Sequence, residues 1–421
     1  MPERATRTWA VVALVCAVLT AGCAGPPPRT AIARSADGAG PPREAVEAAV
    51  ERLAEATGAP GGAAYTRDGD GTWFGSTGVA DRRSERRIGR TDRFRAGSLT
   101  KTFVATVVLQ LCDEGTLRLS DTVADRLPGL VRGQGNDGRR ITVRQLLSHT
   151  SGLFDYAQDP QLAEESFGPG FAEHRYDPRT PQELVRAAVR HEPYAAPGEE
   201  YRYSNTDYIL LGLLIEAATG RTYAQEIEER IIGPLGLTGT SLPGNRHGLP
   251  EPHGRAYSAV LAPEGPAAGA EISGSAAGSG GVGSTKGAGG AVSAESAGGL
   301  MDVTELDPST AGAAGEMIST LGDLSRFMGA LLGGELLPPE KLRRMRDTSR
   351  TDGVYGAGLF PVRLSCGLTV WGHNGSINGS YVQVAGTLDG SHLLGYRVNT
   401  ESAGAEEAED RLLTAEFCRD R

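Results

Sequence analysis

The sequence predicts an α/β part combined with an all-helical part: an antiparallel β-sheet is flanked by helices, and a helical region is inserted between the two halves of the sheet. Strand-like segments cluster at 62–79 and again at 368–398, whereas the residues between them carry mostly helical patterns. A chain of 421 residues, 39% of them hydrophobic, is long enough to bury a sizeable core. We therefore expect both ends of the chain to contribute strands to one sheet.

The first half of the predicted sheet is a hairpin that follows a helix. Residues 44–53 place apolar side chains at helical spacing, and Gly58 follows as a stop signal. Two strand-like runs, 62–66 and 72–79, flank an Asp-Gly-Asp-Gly turn, which is typical of hairpins. An apolar helical run at 103–111 comes next, so the order is helix, hairpin, helix.

The middle of the chain is predicted to be helical, and the tail returns to strands. The helical part occupies roughly 115–200 and 206–245, with short polar loops between its helices. Asp389 and Gly390 form a turn signal between the last two strands. The predicted elements are helices 181–189, 208–218 and 224–232, strands 368–371, 381–387 and 393–398, and a closing helix 403–417.

Composition excludes several classes of protein. The chain has 42 Lys and Arg against 52 Asp and Glu, a net charge of -10, whereas a duplex nucleic-acid binder needs a basic face. We therefore expect no nucleic-acid partner. Residues 263–299 are mostly Gly, Ala and Ser, which cannot offset the entropy of ordering, so they are predicted to be a disordered insertion. Lys286, within it, does not mark a phosphate loop, because the Gly-Lys-Ser/Thr pattern is absent.

The N-terminus has the form of an export signal. Arg4 and Arg7 precede a nearly continuous apolar run at 9–19, which is too short to span a bilayer, so residues 1–22 are predicted to be a signal peptide. The run ends in Leu-Thr-Ala-Gly-Cys, which resembles a bacterial lipobox with Cys23 as the lipid attachment site. Residues 23–42, rich in Pro, Gly and Ala, then form a tether. The expected location is the outer face of the bacterial cell membrane or, with ordinary cleavage instead of lipidation, the medium.

Export to an oxidising compartment makes one disulfide bond plausible on physical grounds. Cys16 lies in the signal and Cys23 is the lipid candidate, which leaves Cys112, Cys366 and Cys418. Cys112 lies in the apolar helical run, where burial as a small hydrophobe is favoured. The favoured bridge therefore joins Cys366 to Cys418 and ties the last helix to the sheet.

Three short patterns could carry chemistry. The chain has three lysines, Lys101, Lys286 and Lys341, and Ser98 lies three residues before the first of them, where a helix begins. One helical turn brings the Ser98 and Lys101 side chains onto one face, and a desolvated amine can activate a serine nucleophile. Alone this spacing is a weak signal, since serine often precedes lysine by chance.

The second and third patterns are equally ambiguous when taken singly. Tyr203 and Asn205 form Tyr-X-Asn, which can supply a phenol for proton transfer and an amide for hydrogen bonding, or simply an aromatic turn with a helix cap. The run Trp-Gly-His-Asn-Gly-Ser places His373, Gly375 and Ser376 at the end of a predicted strand, where glycines let a substrate approach the backbone. A lone histidine there is usually structural.

The order of the three patterns resembles the serine penicillin-recognising hydrolases, in the branch of class C β-lactamases and D-alanyl-D-alanine carboxypeptidases. The resemblance runs from about residue 44 to Cys418 and includes Leu-Leu-Ser-His-Thr-Ser-Gly-Leu at 146–153, Ser-Asn-Thr-Asp-Tyr at 204–208 and Leu-Ser-Cys-Gly at 364–367. Secreted DD-carboxypeptidases are the most similar, because histidine replaces lysine in the third motif and the bridge cysteines correspond. The resemblance implies one β-lactamase/transpeptidase-like domain over 43–418, with the active site between its α/β and helical parts.

The resemblance also implies roles. Ser98 would be the acylated nucleophile, Lys101 would tune the proton balance, and Tyr203 would be the base toward Ser98 and the acid toward the leaving amine. Asn205 would hold the substrate amide, and His373 would add polarity to the Tyr203 network. The substrate site would comprise Asn205, His373, Asn374, Gly375 and Ser376, with an oxyanion hole built from the backbone N–H groups of Ser98 and Ser376. No metal and no cofactor is implied.

Two departures weaken the likeness to carboxypeptidases. Asn374 stands where that branch has a hydroxyl, and residues 359–362 occupy the stretch where an arginine would bind the substrate carboxylate, although Arg363 is nearby. The function expected is therefore an exported serine hydrolase with an acyl-enzyme, most similar to a D-alanyl-D-alanine carboxypeptidase acting on cell-wall peptides. A class C-like β-lactamase, an esterase or a D-amino-acid peptidase are alternatives of the same fold. The expected partner is a small peptide, β-lactam or ester substrate, and peptidoglycan is a further candidate partner.

Two other classes fit less well. A surface protein that binds penicillin or muropeptides without turnover is the alternative from another class, but all three motifs are chemically intact. A metallohydrolase is disfavoured because the seven histidines show no close pair at ligand spacing. A Gly-X-Ser-X-Gly nucleophile elbow is absent from the sequence.

Overall fold

The computed structural model describes residues 33–34, 43–259, 261, 299–401 and 405–418. The predicted signal peptide with Cys16, Cys23, the tether apart from 33–34, and the predicted insertion up to residue 298 lie outside the described residues. Among the residues that are described, no helix combines the length and apolar character needed to cross a membrane.

One antiparallel sheet dominates the structure, and strands from both ends of the chain build it. Seven strands follow the order β1-β3-β2-β13-β12-β11-β10, in which β13 pairs directly with β2. This pairing confirms the predicted sheet. The strands are β1 (Ala33–Arg34), β2 (Gly61–Asp68), β3 (Gly71–Gly78), β4 (Phe94–Arg95), β5 (Arg132–Gly133), β6 (Asn136–Asp137), β7 (Tyr257–Ser258), β8 (Met301–Asp302), β9 (Ile318–Ser319), β10 (Phe360–Arg363), β11 (Thr369–Ile377), β12 (Ser380–Gly386) and β13 (Leu393–Val398).

Helices cover both faces of this sheet, and a group of helices lies between its two halves in sequence. Three short 3₁₀ turns at 97–99, 156–158 and 308–310 and a π-helical turn at 228–232 complete the list of helical segments. The helices are α1 (Glu44–Thr57), α2 (Thr100–Asp113), α3 (Val123–Arg126), α4 (Val143–Leu147), α5 (Pro160–Phe167), α6 (Phe171–His174), α7 (Pro181–Val189), α8 (Asn205–Thr219), α9 (Tyr223–Ile227), α10 (Gly233–Leu235), α11 (Gly312–Gly315), α12 (Leu321–Leu332), α13 (Pro339–Met345) and α14 (Glu406–Phe417).

Side-chain alternation along the strands divides the interior into two cores. On β2, Ala63 and Tyr65 face the core shared with α2, α8 and α12, whereas Ala64 faces the core shared with α1 and α14. On β12, Val382 and Tyr381 divide in the same way. Because successive side chains of a strand point to opposite faces, a sheet buried on both faces needs apolar residues at every position.

The ends of the chain are tied together on the α1–α14 face. Cys366, just before β11, is bonded to Cys418 after α14, which is the pair that the sequence favours. Cys112 has a free, partly buried thiol, and burial raises its pKa to about 11. Arg43, buried at the start of α1, donates a hydrogen bond of 2.9 Å to Asp68 and another to Glu416.

Strand β11 differs from the prediction at the point that matters most for the site. The sequence pattern ends the strand near Trp371, but β11 continues to Ile377, so His373 and Ser376 lie within it, paired with Val384 and Tyr381 of β12. Glycine and asparagine have weak strand propensity, which is why the strand pattern in the sequence stops near Trp371. Pairing with β12 overrides that local preference.

Candidate active site

Ser98 lies at a tight junction between a helix start and the sheet. It is the middle residue of the 3₁₀ turn at 97–99, immediately before α2. Gly97 has φ +52°, and a Cβ there would lie 2.8 Å from the Ser376 backbone nitrogen. A Cβ on Gly375 would lie 1.9 Å from the Ala96 carbonyl oxygen and 3.0 Å from the Ser98 nitrogen. Only glycines allow the 3₁₀ turn and β11 to approach so closely.

Two side chains meet the Ser98 hydroxyl, one from the same helix start and one from a segment distant in sequence. The Lys101 Nζ lies 2.9 Å from the Ser98 Oγ, and the Tyr203 hydroxyl lies 3.0 Å from the same oxygen. Ser98 is partly exposed, whereas Lys101 is completely buried. The structure thus holds one accessible hydroxyl between an amine and a phenol.

The surroundings of Lys101 make the neutral form of its amine accessible near neutral pH. Its Nζ also lies 2.8 Å from the Asn205 Oδ1 and 2.7 Å from the carbonyl oxygen of Ala314 in α11. Burial lowers the pKa of Lys101 to about 7, although Asp155 and Asp207 act in the opposite direction. A neutral amine has two N–H groups for Asn205 and Ala314, and its lone pair can accept the Ser98 proton.

Tyr203 is poorly suited to be an anionic base in the resting site. Burial raises its pKa well above the ordinary value for tyrosine, and the hydrogen bond to Ser98 only partly opposes this. Its ring lies 4.9 Å from the Lys101 Nζ, measured to the ring centroid. A neutral phenol that donates to Ser98 fits these surroundings better than the base role that the resemblance implies.

Asn205 joins the Ser98 cluster to the buried carboxylate of Asp155. It is the first residue of α8, but its side chain turns inward and does not cap the helix. Its Oδ1 faces Lys101, and its Nδ2 lies 3.0 Å and 3.2 Å from the two carboxylate oxygens of Asp155. The amide predicted to hold substrate therefore also links Lys101 to Asp155.

A buried His–Asp pair supports the ring of Tyr203. His149 has φ +53°, and its Nδ1 lies 3.0 Å from Asp207, which also accepts from the Ser151 hydroxyl at 2.5 Å. The His149 ring centroid is 4.3 Å from that of Tyr203. Burial lowers the pKa of His149 and raises that of Asp207 well above its ordinary value. The His149–Asp207 pair therefore packs against the phenol ring of Tyr203.

His373, which the resemblance predicts to add polarity to the Tyr203 network, bonds Tyr355 and not Tyr203 itself. Its Nε2 lies 2.8 Å from the Tyr355 hydroxyl and its Nδ1 lies 2.5 Å from the Asn374 carbonyl oxygen. Tyr355 stands between them, edge-on to the Tyr203 ring at 6.4 Å. Burial lowers the pKa of His373 to about 3, so its ring is neutral at ordinary pH. It shapes the wall of the site through Tyr355.

The β11 residues lie beside Ser98. Asn374 and Ser376 are partly exposed, and Gly375 is buried against the 3₁₀ turn. The backbone nitrogens of Ser98 and Ser376 belong to the two segments that the paired glycines bring into contact. An oxyanion hole needs such converging backbone donors.

Sequence reasoning named Ser98, Lys101, Tyr203 and Asn205, which the structure brings together, but it assigned no role to the residues behind them. His149 and Asp207 lie in segments quoted only for their resemblance to the family, and neither Asp155 nor Tyr355 was singled out. The clue available was the pairing of a histidine and an aspartate in two of those segments.

A possible metal-ligand cluster lies elsewhere. Within the described part of the chain, Asp68, His392 and Glu416 offer ligand atoms within 4.8 Å of one another. The guanidinium of Arg43 bonds both carboxylates, and His392 lies 2.7 Å from Glu416. The single positive charge of Arg43 lies against both carboxylates and offsets one of their two negative charges, so the group is a structural ion-pair cluster.

Comparison with known proteins agrees with this geometry. Residues 46–414 match the beta-lactamase family. The fold is similar to a D-stereospecific amidohydrolase from Streptomyces sp., with 43% identity, a TM-score of 0.76, and coverage of 90% of this chain and 100% of that one. It is also similar to a D-amino acid amidase from Ochrobactrum anthropi SV3, solved with L-phenylalanine amide, with 26% identity, a TM-score of 0.69, and coverage of 90% and 99%.

Curated relatives match over a shorter region. Penicillin-binding protein 4 from Amycolatopsis lactamdurans is 32% identical over 145 residues, and protein flp from Staphylococcus aureus strain MRSA252 is 31% identical over 158 residues. These matches span 34% and 29% of the relatives' own lengths. Together with the fold and the Ser98 cluster, the family match establishes that the chain belongs to the beta-lactamase family of serine hydrolases.

The close approach at Gly375 predicts a strong effect of one methyl group. In Gly375→Ala the added Cβ would collide with the Ala96 carbonyl and displace the backbone beside Ser98. Loss of one oxyanion donor lowers kcat by roughly 100-fold or more, so hydrolysis of an activated ester should fall by that order. Gly69→Ala, in the hairpin turn where nothing lies within 4 Å, is the matched control and should leave activity unchanged. Equal activity of both variants would show that this contact is unimportant.

The buried amine predicts an acid limb in the rate profile. Because protonation of Lys101 removes the lone pair that can accept the Ser98 proton, kcat/KM should fall as pH drops through about 7. His373, with a pKa lowered to about 3, stays neutral over this range and cannot account for the limb. Ester hydrolysis measured between about pH 5 and 9 tests the assignment. A flat profile would exclude Lys101 as the proton acceptor.

Proposed function

We propose that this protein hydrolyses amide bonds whose acyl group is a D-amino acid residue, through an acyl-enzyme on Ser98. The observation that carries the proposal is the Ser98 Oγ held 2.9 Å from the Lys101 amine and 3.0 Å from the Tyr203 hydroxyl. The similarity to a D-stereospecific amidohydrolase over that protein's whole length supports the choice of substrate.

The roles follow from the contacts. Ser98 attacks the carbonyl carbon while Lys101 takes its proton, and the oxyanion is stabilised by the backbone N–H groups of Ser98 and Ser376. The C–N bond then breaks, and Tyr203, neutral because its pKa is raised, is placed to deliver a proton to the leaving nitrogen. The protonated Lys101 then returns a proton to the Tyr203 oxygen, so the net result of the first half is transfer of the serine proton to the amine that leaves. In the second half a water molecule attacks the acyl carbon, the ester C–O bond breaks, one water proton restores the Ser98 hydroxyl, and the acyl group leaves as a carboxylic acid.

The register of β10 favours a leaving group without a carboxylate. Phe360 pairs with Gly372, and its ring lies 5.3 Å from that of His373. Arg363 pairs with Thr369, three positions farther along the strand, which is about 10 Å away. A cation to bind a C-terminal carboxylate is therefore not supplied here by Arg363. An amide or ester with a small leaving group suits this site better.

The D-alanyl-D-alanine carboxypeptidase activity expected from the sequence is the second candidate. The similarity to penicillin-binding protein 4 favours it, although the match spans a third of that relative. Both candidates share a D-configured acyl group and the same nucleophile, so they differ only in the leaving group. β-Lactam hydrolysis would use the same first step followed by rapid deacylation.

A substrate panel separates these activities. The panel contains D- and L-phenylalanine amide, an N-acylated D-Ala-D-Ala peptide, a cephalosporin and p-nitrophenyl acetate, with Ser98→Ala as the blank. We expect turnover of the D-amide and the ester, at least tenfold weaker turnover of the L-amide, and none by Ser98→Ala. Preference for the D-Ala-D-Ala peptide would select the carboxypeptidase. Binding of these compounds without any product would instead select a non-catalytic binding protein.

We also propose that the protein acts outside the cytoplasm, anchored by lipid on Cys23. The charged and apolar N-terminal residues support this, and so does the Cys366–Cys418 disulfide, since disulfides persist in oxidising compartments. Expression with labelled palmitate should yield a labelled, membrane-associated protein. Cys23→Ala should lose the label, and an unlabelled wild-type protein in the medium would indicate ordinary secretion instead.

A further inference from the structure

We propose that Asp155 is a positioning residue for the acyl-transfer site: its buried carboxylate holds the Asn205 amide so that the amide oxygen faces the Lys101 amine. This inference deepens the proposed function and rests on it for its catalytic consequence. Asp155 has 5% of its surface exposed. It contacts Asn205, which contacts Lys101, which in turn contacts Ser98.

The orientation of an asparagine amide depends on its neighbours. The Asn205 Nδ2 donates to Asp155 at 3.0 Å, and its Oδ1 accepts from Lys101 at 2.8 Å. A flipped amide would place an NH₂ group against the Lys101 N–H groups and a carbonyl oxygen against the Asp155 carboxylate. Both contacts would then be repulsive and buried, which is costly. The carboxylate therefore selects one orientation.

Asp155 is itself held in place by the turn that it begins. Its Oδ1 accepts the N–H of Ala157 at 3.1 Å, which caps the 3₁₀ turn at 156–158. Its own N–H donates to the Tyr194 hydroxyl at 3.2 Å. The Asp155 carboxylate accepts from the N–H groups of Ala157 and Asn205, and the positive charge of a protonated Lys101 acts on it across Asn205.

The electrostatic surroundings of Lys101 give Asp155 a second effect. Burial raises the pKa of Asp207 well above its ordinary value and lowers the pKa values of His149 and His373, which favours the neutral form of these three groups. Burial also raises the pKa of Asp155, but the hydrogen bonds from Ala157 and Asn205 and the charge of Lys101 favour its ionised form. An ionised Asp155 favours the protonated amine. Groups from five parts of the fold face Lys101. They are Ser98 from the start of α2, the Ala314 carbonyl from α11, His149 and Asp155 from the loop at 148–155, His373 from β11, and Tyr203, Asn205, Asp207 and Tyr208 in or just before α8.

Asp155→Asn removes the charge and keeps the shape. Because the lost carboxylate favoured the protonated amine, Lys101 should titrate about one pH unit lower. The chain has only three lysines, so ¹³Cε-lysine labelling of the full-length protein gives three NMR signals, and Lys101→Arg identifies the relevant one. This measurement does not require a substrate.

Asp159→Asn is the matched control. Asp159 is also buried, but it caps α5 and lies 2.9 Å from His191 and 3.2 Å from Arg190. Its loss should lower the thermal midpoint without moving the Lys101 titration. An unchanged titration in Asp155→Asn, or an equal shift in both variants, would overturn the inference whether or not a substrate is found.

Kinetics then test the link to function. In Asp155→Asn, kcat/KM for the ester should fall at least tenfold, with its acid limb moved to lower pH. Since Asp155 acts through Asn205, adding Asp155→Asn to Asn205→Ala should cause little further loss, whereas full additivity would contradict the inference. If the wild type acylates no substrate while Lys101 titrates as expected, the proposed function fails and the positioning role of Asp155 stands.

Discussion

The burial of one amine without a directly bonded carboxylate is the constraint around which the site is built. Removing an ammonium from water is costly, so Lys101 is stable in this position only when its N–H groups meet acceptors and its neutral form is accessible. The Ala314 carbonyl and the Asn205 amide supply those acceptors. The third contact of the amine is with Ser98. Because burial lowers the pKa of Lys101, its neutral form can accept the Ser98 proton.

Two helix starts and one short helix must meet for this to happen. Ser98 and Lys101 come from the start of α2, Asn205 from the start of α8, and Ala314 from α11. The loop at 148–155 is fastened to the beginning of α8, since both Ser204 and Thr206 donate to the Phe154 carbonyl. The all-helical part thus holds the proton-transfer groups, and the sheet supplies the opposite wall through β11.

Under the proposed function, different elements carry out the reaction and select the leaving group. The Ser98 cluster attacks the carbonyl and protonates the leaving nitrogen. Phe360 of β10, whose ring lies 5.3 Å from that of His373, is the residue proposed to disfavour a leaving group with a carboxylate. Such a division is consistent with one fold supporting several hydrolases.

The order of strand-like and helical segments predicted one sheet built from both ends of the chain. The sequence alone also determined local features: α7 with its bounds, the helical spacing of Ser98 and Lys101, and the motif order. These follow from periodicity and turn residues close together in the chain. The sequence analysis missed α12, although its apolar residues have helical spacing and Thr320 caps its start, so local signals were sufficient there. The extension of β11 through His373 and the buried positions of Asp155 and His149 could not be predicted, because they depend on contacts with residues far away in sequence. Only tertiary packing decided which end of the Asn205 amide faces Lys101 and which position of β10 lies beside His373. The reason is that hydrogen-bond partners and strand register come from segments distant in sequence.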